Sequence, residues 1–510
     1  MNAQGGQYGN TLQAASYNGH KSIVEFLVKR GANLSAQGGQ YGNALQAASY
    51  TGHKEIVELL VERGADVNAQ GGECGTALQA ASYWGYKEIV ELLVERGVDV
   101  NTQGGQHGNA LQAASYKGHK NIVECLVERG ADVNIQGGQY GNALQAAIHE
   151  GHGYIVQLLV ERGADVNALG GEYGTALQAA IYLGHKDIVK WLVERGANVN
   201  AQGGPYGNAL LIAIYYRYKD IVELLVERGA VVNAQEGECG NVMQAALHWG
   251  HKDIVELLIK QGADVNTQGG QYGNALQAAS YWGHKEIVEL LVERHADVKA
   301  QGGQFGNSLQ AASYQGYKEI VELLVEQGAD VNAQGGRYGN ALQAASYRGH
   351  KELVELLFER GADVNAMGGY FGNALQAASC RGKEDITHLL VERGANVNAQ
   401  GGRYGNALQA ALAFHGHLDI AKLLLQTGAN INHSHTIHVK WWPEAGRYWV
   451  ESEVVNAIQA ASLKGHEKVV QLLLDHGVPQ EHLDVALHAA SERGHKSIMK
   501  LLLKHGAKQE

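Results

Sequence analysis

A chain of 510 residues with 68 glycines but only 3 prolines cannot be read as disordered Pro/Gly filler, because that many glycines must serve a turn that recurs regularly. A hydrophobic share of 45% is ample for a buried core, and a formal net charge of −11 gives no overall attraction to nucleic acid or an anionic membrane. No run of about 18 apolar residues occurs, and the opening MNAQGGQYGN has no basic region followed by an apolar core, so neither a membrane-spanning helix nor a secretory leader is expected.

The segment NAQGGQYGNALQAASYTGHKEIVELLVERGADV, slid along the chain, finds itself again and again. The glycine of its G-[NT]-x-[LM] step falls at Gly9, Gly42, Gly75, Gly108, Gly141, Gly174 and Gly207, then at Gly240, Gly273, Gly306, Gly339, Gly372 and Gly405. That is thirteen copies over residues 2–431, each 33 residues long, without an insertion or deletion between those glycines. In the second copy Asn43 should cap a short helix, ALQAASYT, that Gly52 stops. Lys54 to Arg63 should form a second helix, with Ile56, Val57, Leu59, Leu60 and Val61 on one face and Glu55, Glu58, Glu62 and Arg63 toward solvent. Gly64 closes that helix, and the polar DVNAQGGEC predicts a turn in place of a third element. After Gly405 the register slips by one residue near Ala413 and Phe414. An insertion rich in Trp and His, about 433–453, then enters a fourteenth copy at 432–479, which resumes with NAIQAASLKGH from Asn456. A shortened capping copy with VALHAASERGH occupies 480–510.

One copy carries too few apolar side chains to offset the entropy of ordering it, so neighbouring copies must bury each other's faces. The expected fold is all-α, a solenoid of about fifteen helix-turn-helix repeats with short loop or β-turn fingers. The unit G-[NT]-A-L-Q-A-A-S-Y-x-G-H-K-x-I-V-x-L-L-V-E-R-G-A-D-V-N-A resembles the ankyrin repeat over essentially the whole chain. It departs from that family's pattern in the first helix, where T-P-L-H becomes [NT]-A-L-Q, and in the loop, where GGQYG replaces an acidic DG turn. Asn or Thr can still cap, and Gln46 can stand in for the family's histidine in tying loop to helix. Of all the copies, Val485 to His488 keeps that histidine. The GGxYGNALQAAS dialect looks like arrays of filamentous fungi that follow a nucleotide-binding signalling domain of the NACHT kind. The resemblance implies a non-catalytic scaffold or ligand-sensing array that binds a protein partner on its concave face, with no cofactor.

Where copies are near-identical, the informative positions are those that vary. The residue before the mid-repeat glycine reads Asn18, Thr51, Trp84, Lys117, Glu150, Leu183 and Tyr216, then Trp249, Trp282, Gln315, Arg348, Arg381 and His415. In the ankyrin family this position, the residue before it (Tyr50) and the loop tip line the ligand face. Exposed aromatics carry interface energy, so Tyr50, Trp84, Tyr216, Trp249 and Trp282 are candidate contacts, the last three as one aromatic patch. The alternative is that the tyrosine column stacks from copy to copy and staples the rod, and the two are compatible. Arg337, Arg348, Arg381 and Arg403 form a basic stretch on an acidic protein and point to an acidic partner surface, against the competing reading of unselected drift.

Other features are read as structural. The repeated GG lacks the G-x-x-x-x-G-K-[ST] pattern of a phosphate cradle, and the recurring histidines (His20, His53, His119) are packing and capping groups. His433, His435 and His438 lack further ligands in a fixed pattern, so no metal is assigned. Trp441 and Trp442 are expected to fold back onto the rod or to form a protruding contact loop. The cysteines Cys74, Cys125, Cys239 and Cys380 are too scattered for a disulfide framework; Cys74 and Cys239, five layers of about 10 Å apart, would lie roughly 50 Å from each other. A reducing, cytoplasmic or nuclear setting is the simplest reading. Three glycine sites are broken, at Arg217, Glu236 and His295, and with Pro205 nearby repeats seven and eight are the expected soft joint. The amino end starts mid-pattern without a polar cap, so either a preceding effector domain is missing or residue 1 is a mis-called start, and the chain itself is expected to be a monomeric rod. An elastic spacer between other domains is the second reading of function. An enzyme is the third, and no chain-unique Ser/His/Asp or Cys/His set supports it.

Overall fold

The first helix of each repeat starts on a polar cap. Asn43 is extended, and its side-chain oxygen accepts from the backbone N–H of Gln46 at 2.9 Å while Gln46 Oε1 accepts from the Asn43 N–H at 2.6 Å. Asn or Thr caps the equivalent helix from Asn10 through Asn456. Thirty helices follow in pairs in this computed structural model, which describes residues 5, 7–233, 241–413, 415–438 and 452–508. In the second repeat the pair is Ala44–Thr51 and Lys54–Glu62. Ile56, Val57 and Leu60 are fully buried; Leu59 and Val61, expected on the same face, are only half covered.

The Gln46 amide does more than close its own cap. Its Nε2 donates forward into the next repeat, to the carbonyls of Ala69 (3.1 Å), Gly71 (3.1 Å) and Gly75 (2.7 Å), so one buried side chain holds a helix start and the neighbouring finger together. The finger is a tight hairpin closed by Gly71 N–H to Gly75 O at 2.8 Å. This geometry dictates glycine at 42: φ is +82°, and a Cβ there would stand 2.1 Å from Gln46 Oε1. Finger tips are joined as well, with Gln40 N–H donating to Gln7 O (2.8 Å) and Glu73 N–H to Gln40 O (3.0 Å).

Two further ties explain the GH step and the DVN tail. Gly52 ends the first helix at φ +83°, and the Tyr86 ring of the next repeat lies so close that a Cβ would meet it at 2.6 Å. Histidine fills that role elsewhere, as His53 does over Gly19, with Nε2 3.0 Å from Tyr17 O. On the far side Asn134 Oδ1 accepts from Asp165 N–H (2.8 Å) and Asn134 Nδ2 donates to Gly163 O (3.0 Å).

The chain divides into two compact units, Met1–Val231 and Val232–Glu510. The first holds seven helix pairs, from Thr11–Tyr17 to Lys219–Glu227, and the second eight, from Val242–His248 to Lys496–Lys504. Within each unit adjacent first helices pack most closely and second helices touch more lightly, giving an all-α repeat stack. The second unit adds two strands at the ends of the insertion, β1 (His435–His438) and β2 (Ser452–Val455), antiparallel with His435 opposite Val455. Trp441 and Trp442, expected on this insertion, lie outside the described residues, as do Glu236 and Cys239. No described helix is long and apolar enough to cross a membrane.

Arg217 (φ 56°) and His295 (φ 63°) are the non-glycine residues with positive φ among the described residues, at two of the broken glycine sites. His295 keeps the bonds of the usual glycine, His295 N–H to Val292 O (3.0 Å) and Ala296 N–H to Leu291 O (2.9 Å), so its cost is backbone strain alone. His295→Gly should therefore raise stability by roughly 0.5–1 kcal/mol, read as an upward shift of the denaturation midpoint; a downward shift would place the strain elsewhere. Gln112→Ala should have the opposite effect. It strips the partners of the Asn109 N–H and of the carbonyls of Ile135, Gly137 and Gly141, costing roughly 2–3 kcal/mol. Amide exchange should accelerate across 134–142, and unchanged protection there would show that the finger stands without the glutamine.

Candidate interaction surface

The finger tips and the ends of the first helices lie side by side and build one face of each unit. Its floor is an aromatic ladder made of two interleaved columns, one from the finger (Tyr8, Tyr41) and one from the helix (Tyr17, Tyr50). Ring centroids follow at 5.0 Å for Tyr8–Tyr17, 4.5 Å for Tyr17–Tyr41 and 4.8 Å for Tyr41–Tyr50. In the second unit the series Tyr281–Phe305, Phe305–Tyr314, Tyr314–Tyr338, Tyr338–Tyr347 and Tyr347–Phe371 runs at 4.8, 5.2, 4.6, 5.4 and 4.6 Å. Burial holds the phenols of Tyr50 and Tyr281 above the usual tyrosine range, so these two rungs are uncharged at neutral pH. Sequence reading saw the helix column; the finger column was visible as the Y of GGQYG, but nothing in a linear pattern says that the two mesh.

Tyr50 is a half-buried rung of this ladder, and Trp84 stands edge-on to it at 5.2 Å with 43% of its surface exposed. Tyr216, in the first unit, packs edge-on against Tyr182 (5.5 Å) and Tyr215 (4.9 Å). Trp249 and Trp282, in the second unit, are brought together by a residue that sequence reading passed over. The His248 ring lies 4.8 Å from Trp249 and 4.4 Å from Trp282, both edge-on. Trp249 is 47% exposed, whereas Trp282 is half-buried against Tyr281 at 5.1 Å.

Two of the four arginines sit on the ladder and two on a finger-tip ring beside it. Arg348 lies over the Tyr314 ring (4.8 Å) and Arg381 over Tyr347 (4.9 Å), each reaching back one repeat. Arg337 and Arg403 approach one ring, Tyr370, at 5.4 and 5.3 Å, and Arg403 Nη1 donates to the Tyr370 hydroxyl. None of the four forms an ion pair with a carboxylate among the described residues. Arg337 and Arg381 line a cavity of about 360 Å³ with Tyr347, Tyr370, Phe371, Cys380, Tyr404 and His415; Arg348 is not among its lining residues. Burial pushes the Cys380 thiol up despite the nearby Arg381, which keeps it protonated and unreactive. Cys74, Cys125 and Cys380 are free thiols. Among the described residues no group of His, Cys, Asp and Glu could hold a metal; His433 accepts from Gln409 through its carbonyl (3.0 Å), in the place of a finger carbonyl.

The recurrent histidines are packed groups. Burial holds the recurrent His119, His284, His350 and His417, and the ladder rung His107, below the usual imidazole range. The folded chain therefore binds fewer protons than the unfolded chain once pH drops past the ordinary value of about 6.5. Stability should be full above that pH and fall as pH drops through the lowered folded values. Denaturation midpoints measured from pH 8 to pH 5 check this, and a flat profile would mean that the rings stay hydrated.

The family model described as "Ankyrin repeats (3 copies)" matches residues 11–104, 78–170, 144–236, 235–302, 299–368, 342–435 and 445–510. Among curated proteins none matches the chain.

Proposed function

We propose, from the premise that this chain belongs to the ankyrin-repeat family, whose repeats generally mediate protein–protein interaction and are typically non-catalytic, that it is an intracellular interaction scaffold or ligand-sensing array. Its protein partner lies along the concave face, on the variable residues above the aromatic ladder. The observation that carries this reading is the second unit's surface: exposed Trp249 and four ring-stacked arginines that have no carboxylate partner among the described residues, on a protein of net charge −11. Arg and Trp are the side chains that most often dominate binding energy, and these are already held in place by their neighbours. The GGxYGNALQAAS dialect adds a context, an array that reports to a nucleotide-binding signalling domain.

The test is an affinity pull-down with the whole chain beside a variant carrying Trp249→Ala, Trp282→Ala, Arg348→Glu and Arg381→Glu. Partners captured by the first should be lost from the second, and the charge reversals alone should weaken capture most at low salt. Equal capture at low salt would remove this face from the reading. Because Trp249 and the two arginines are exposed while Trp282 is half-buried, a second variant carrying only Trp249→Ala, Arg348→Glu and Arg381→Glu, which should melt close to the parent, separates lost binding from lost folding.

A further inference from the structure

Resting on that reading of the ladder face, we infer that the cavity of repeats eleven to thirteen is a receptor for one oxyanion, the carboxylate or phosphoryl group of an acidic segment in the protein partner, seated between Arg337 and Arg381 above the Tyr347 and Phe371 rings.

Charge is the first argument. In the second unit the described finger-tip residues from repeat nine on are Gln271, Gln304, Arg337, Tyr370 and Arg403, and the described helix-end residues through repeat thirteen are Trp249, Trp282, Gln315, Arg348, Arg381 and His415. Neither column contains a carboxylate. The guanidiniums therefore repel one another without local compensation, and an entering anion relieves that repulsion as well as forming its own bonds. The first unit supplies the contrast within the same molecule. Its corresponding positions include Glu73, Glu150 and Glu172, and the hollow lined by Tyr140, His149, Glu172 and Tyr173 measures about 10 Å³ against about 360 Å³ here. Opposite charge and a closed floor would exclude an anion there.

Preorganisation is the second. Finger backbones are laddered across the site, Arg337 N–H to Gln304 O (3.0 Å), Tyr370 N–H to Arg337 O (2.8 Å) and Arg403 N–H to Tyr370 O (2.9 Å). Arg381 lies over Tyr347 (4.9 Å) and Arg337 over Tyr370 (5.4 Å), so part of the rotamer entropy of two long side chains is spent before a ligand arrives. The third argument is the floor: Phe371, Cys380 and Tyr404 are buried, and an uncharged, poorly hydrated wall strengthens each charge-assisted bond made against it. The cavity lies at the small end of the range for ligand pockets, enough for one side chain and too little for a cofactor-sized molecule.

The test is fluorescence anisotropy of labelled peptides with the whole chain. The probes are a Gly/Ser peptide carrying glutamates, the same peptide with one central phosphotyrosine, the same with one phosphoserine, and a version with lysine in place of glutamate. Saturable, salt-sensitive binding of at least one acidic probe is expected, with none by the lysine peptide. The ranking of the acidic probes tells carboxylate from phosphoryl recognition. Arg337→Ala with Arg381→Ala should weaken binding at least about tenfold, while two control substitutions in the first unit, Glu150→Ala and Glu172→Ala, should leave it unchanged. No saturable binding by any acidic probe at millimolar concentration, or affinity indifferent to the two arginines, overturns the inference. So does single-stranded RNA that displaces the acidic peptides at lower concentration than they displace one another. If the peptides fail while partner capture still depends on Trp249 and Trp282, the oxyanion receptor is wrong and the interaction surface stands.

Discussion

One buried amide, present in thirteen of the fifteen repeats, carries the architecture. Gln46 and its counterparts through Gln409 sit at the third position of the first helix; the nitrogen donates into the finger of the following repeat, and in Gln13, Gln46, Gln79, Gln112, Gln178, Gln277, Gln310 and Gln376 the oxygen completes the cap of that helix. Each end of a buried primary amide left without a partner costs about 1–3 kcal/mol, and where both ends are bonded in this fold, as at Gln46, they belong to different repeats. Register between repeats is thereby fixed by hydrogen-bond geometry, while apolar burial supplies the bulk of the driving force. Gly42, whose missing Cβ leaves room for the amide oxygen, is a consequence of the same contact. In the seventh repeat Leu211 stands in the glutamine position. It keeps the Asn208 bond to its own N–H at 2.9 Å, but it has no amide to give.

Much of this was legible in the sequence because a repeat shows its constraints by not changing. The caps at Asn43 and its equivalents, the stop at Gly52 and the two-helix unit all followed from local rules that act within a few residues. Gln46 was legible as a tie because it occupied the place of a residue whose task is to tie. The partners were less so. Asn134 reads as one more polar residue in a turn, and only stacking places it between Asp165 and Gly163. His248 reads as a variant rung of the tyrosine column, yet it is what unites Trp249 with Trp282. Periodicity reveals that a position is constrained, and it is silent about what the position touches one repeat away.

The tyrosine column staples neighbouring repeats, and under the proposed function it also carries the variable contact residues. Tyr50 and Tyr347 are rungs, half-buried by their neighbours, and their remaining exposed edges form the ground on which the variable residues stand. A rung cannot vary freely without disturbing the ring on either side, whereas Trp84 or Arg348, placed on top, can change without touching the core. Fold and specificity are thus separated by a single residue along the first helix.

That separation also changes what the net charge means. The second helices carry their acids beside lysines four residues away, as in Lys87 with Glu91 (3.3 Å) and Lys285 with Glu289 (3.8 Å), pairs that face water and largely neutralise one another. Arg337, Arg348, Arg381 and Arg403, on repeats eleven to thirteen, have no such partners among the described residues. A ligand approaching within a Debye length of about 8 Å responds to those guanidiniums and to the aromatic floor beneath them, and the −11 of the whole chain is mostly screened from it. An acidic protein can therefore present a strongly cationic binding surface, provided that its repeats keep acids on one side and vary on the other.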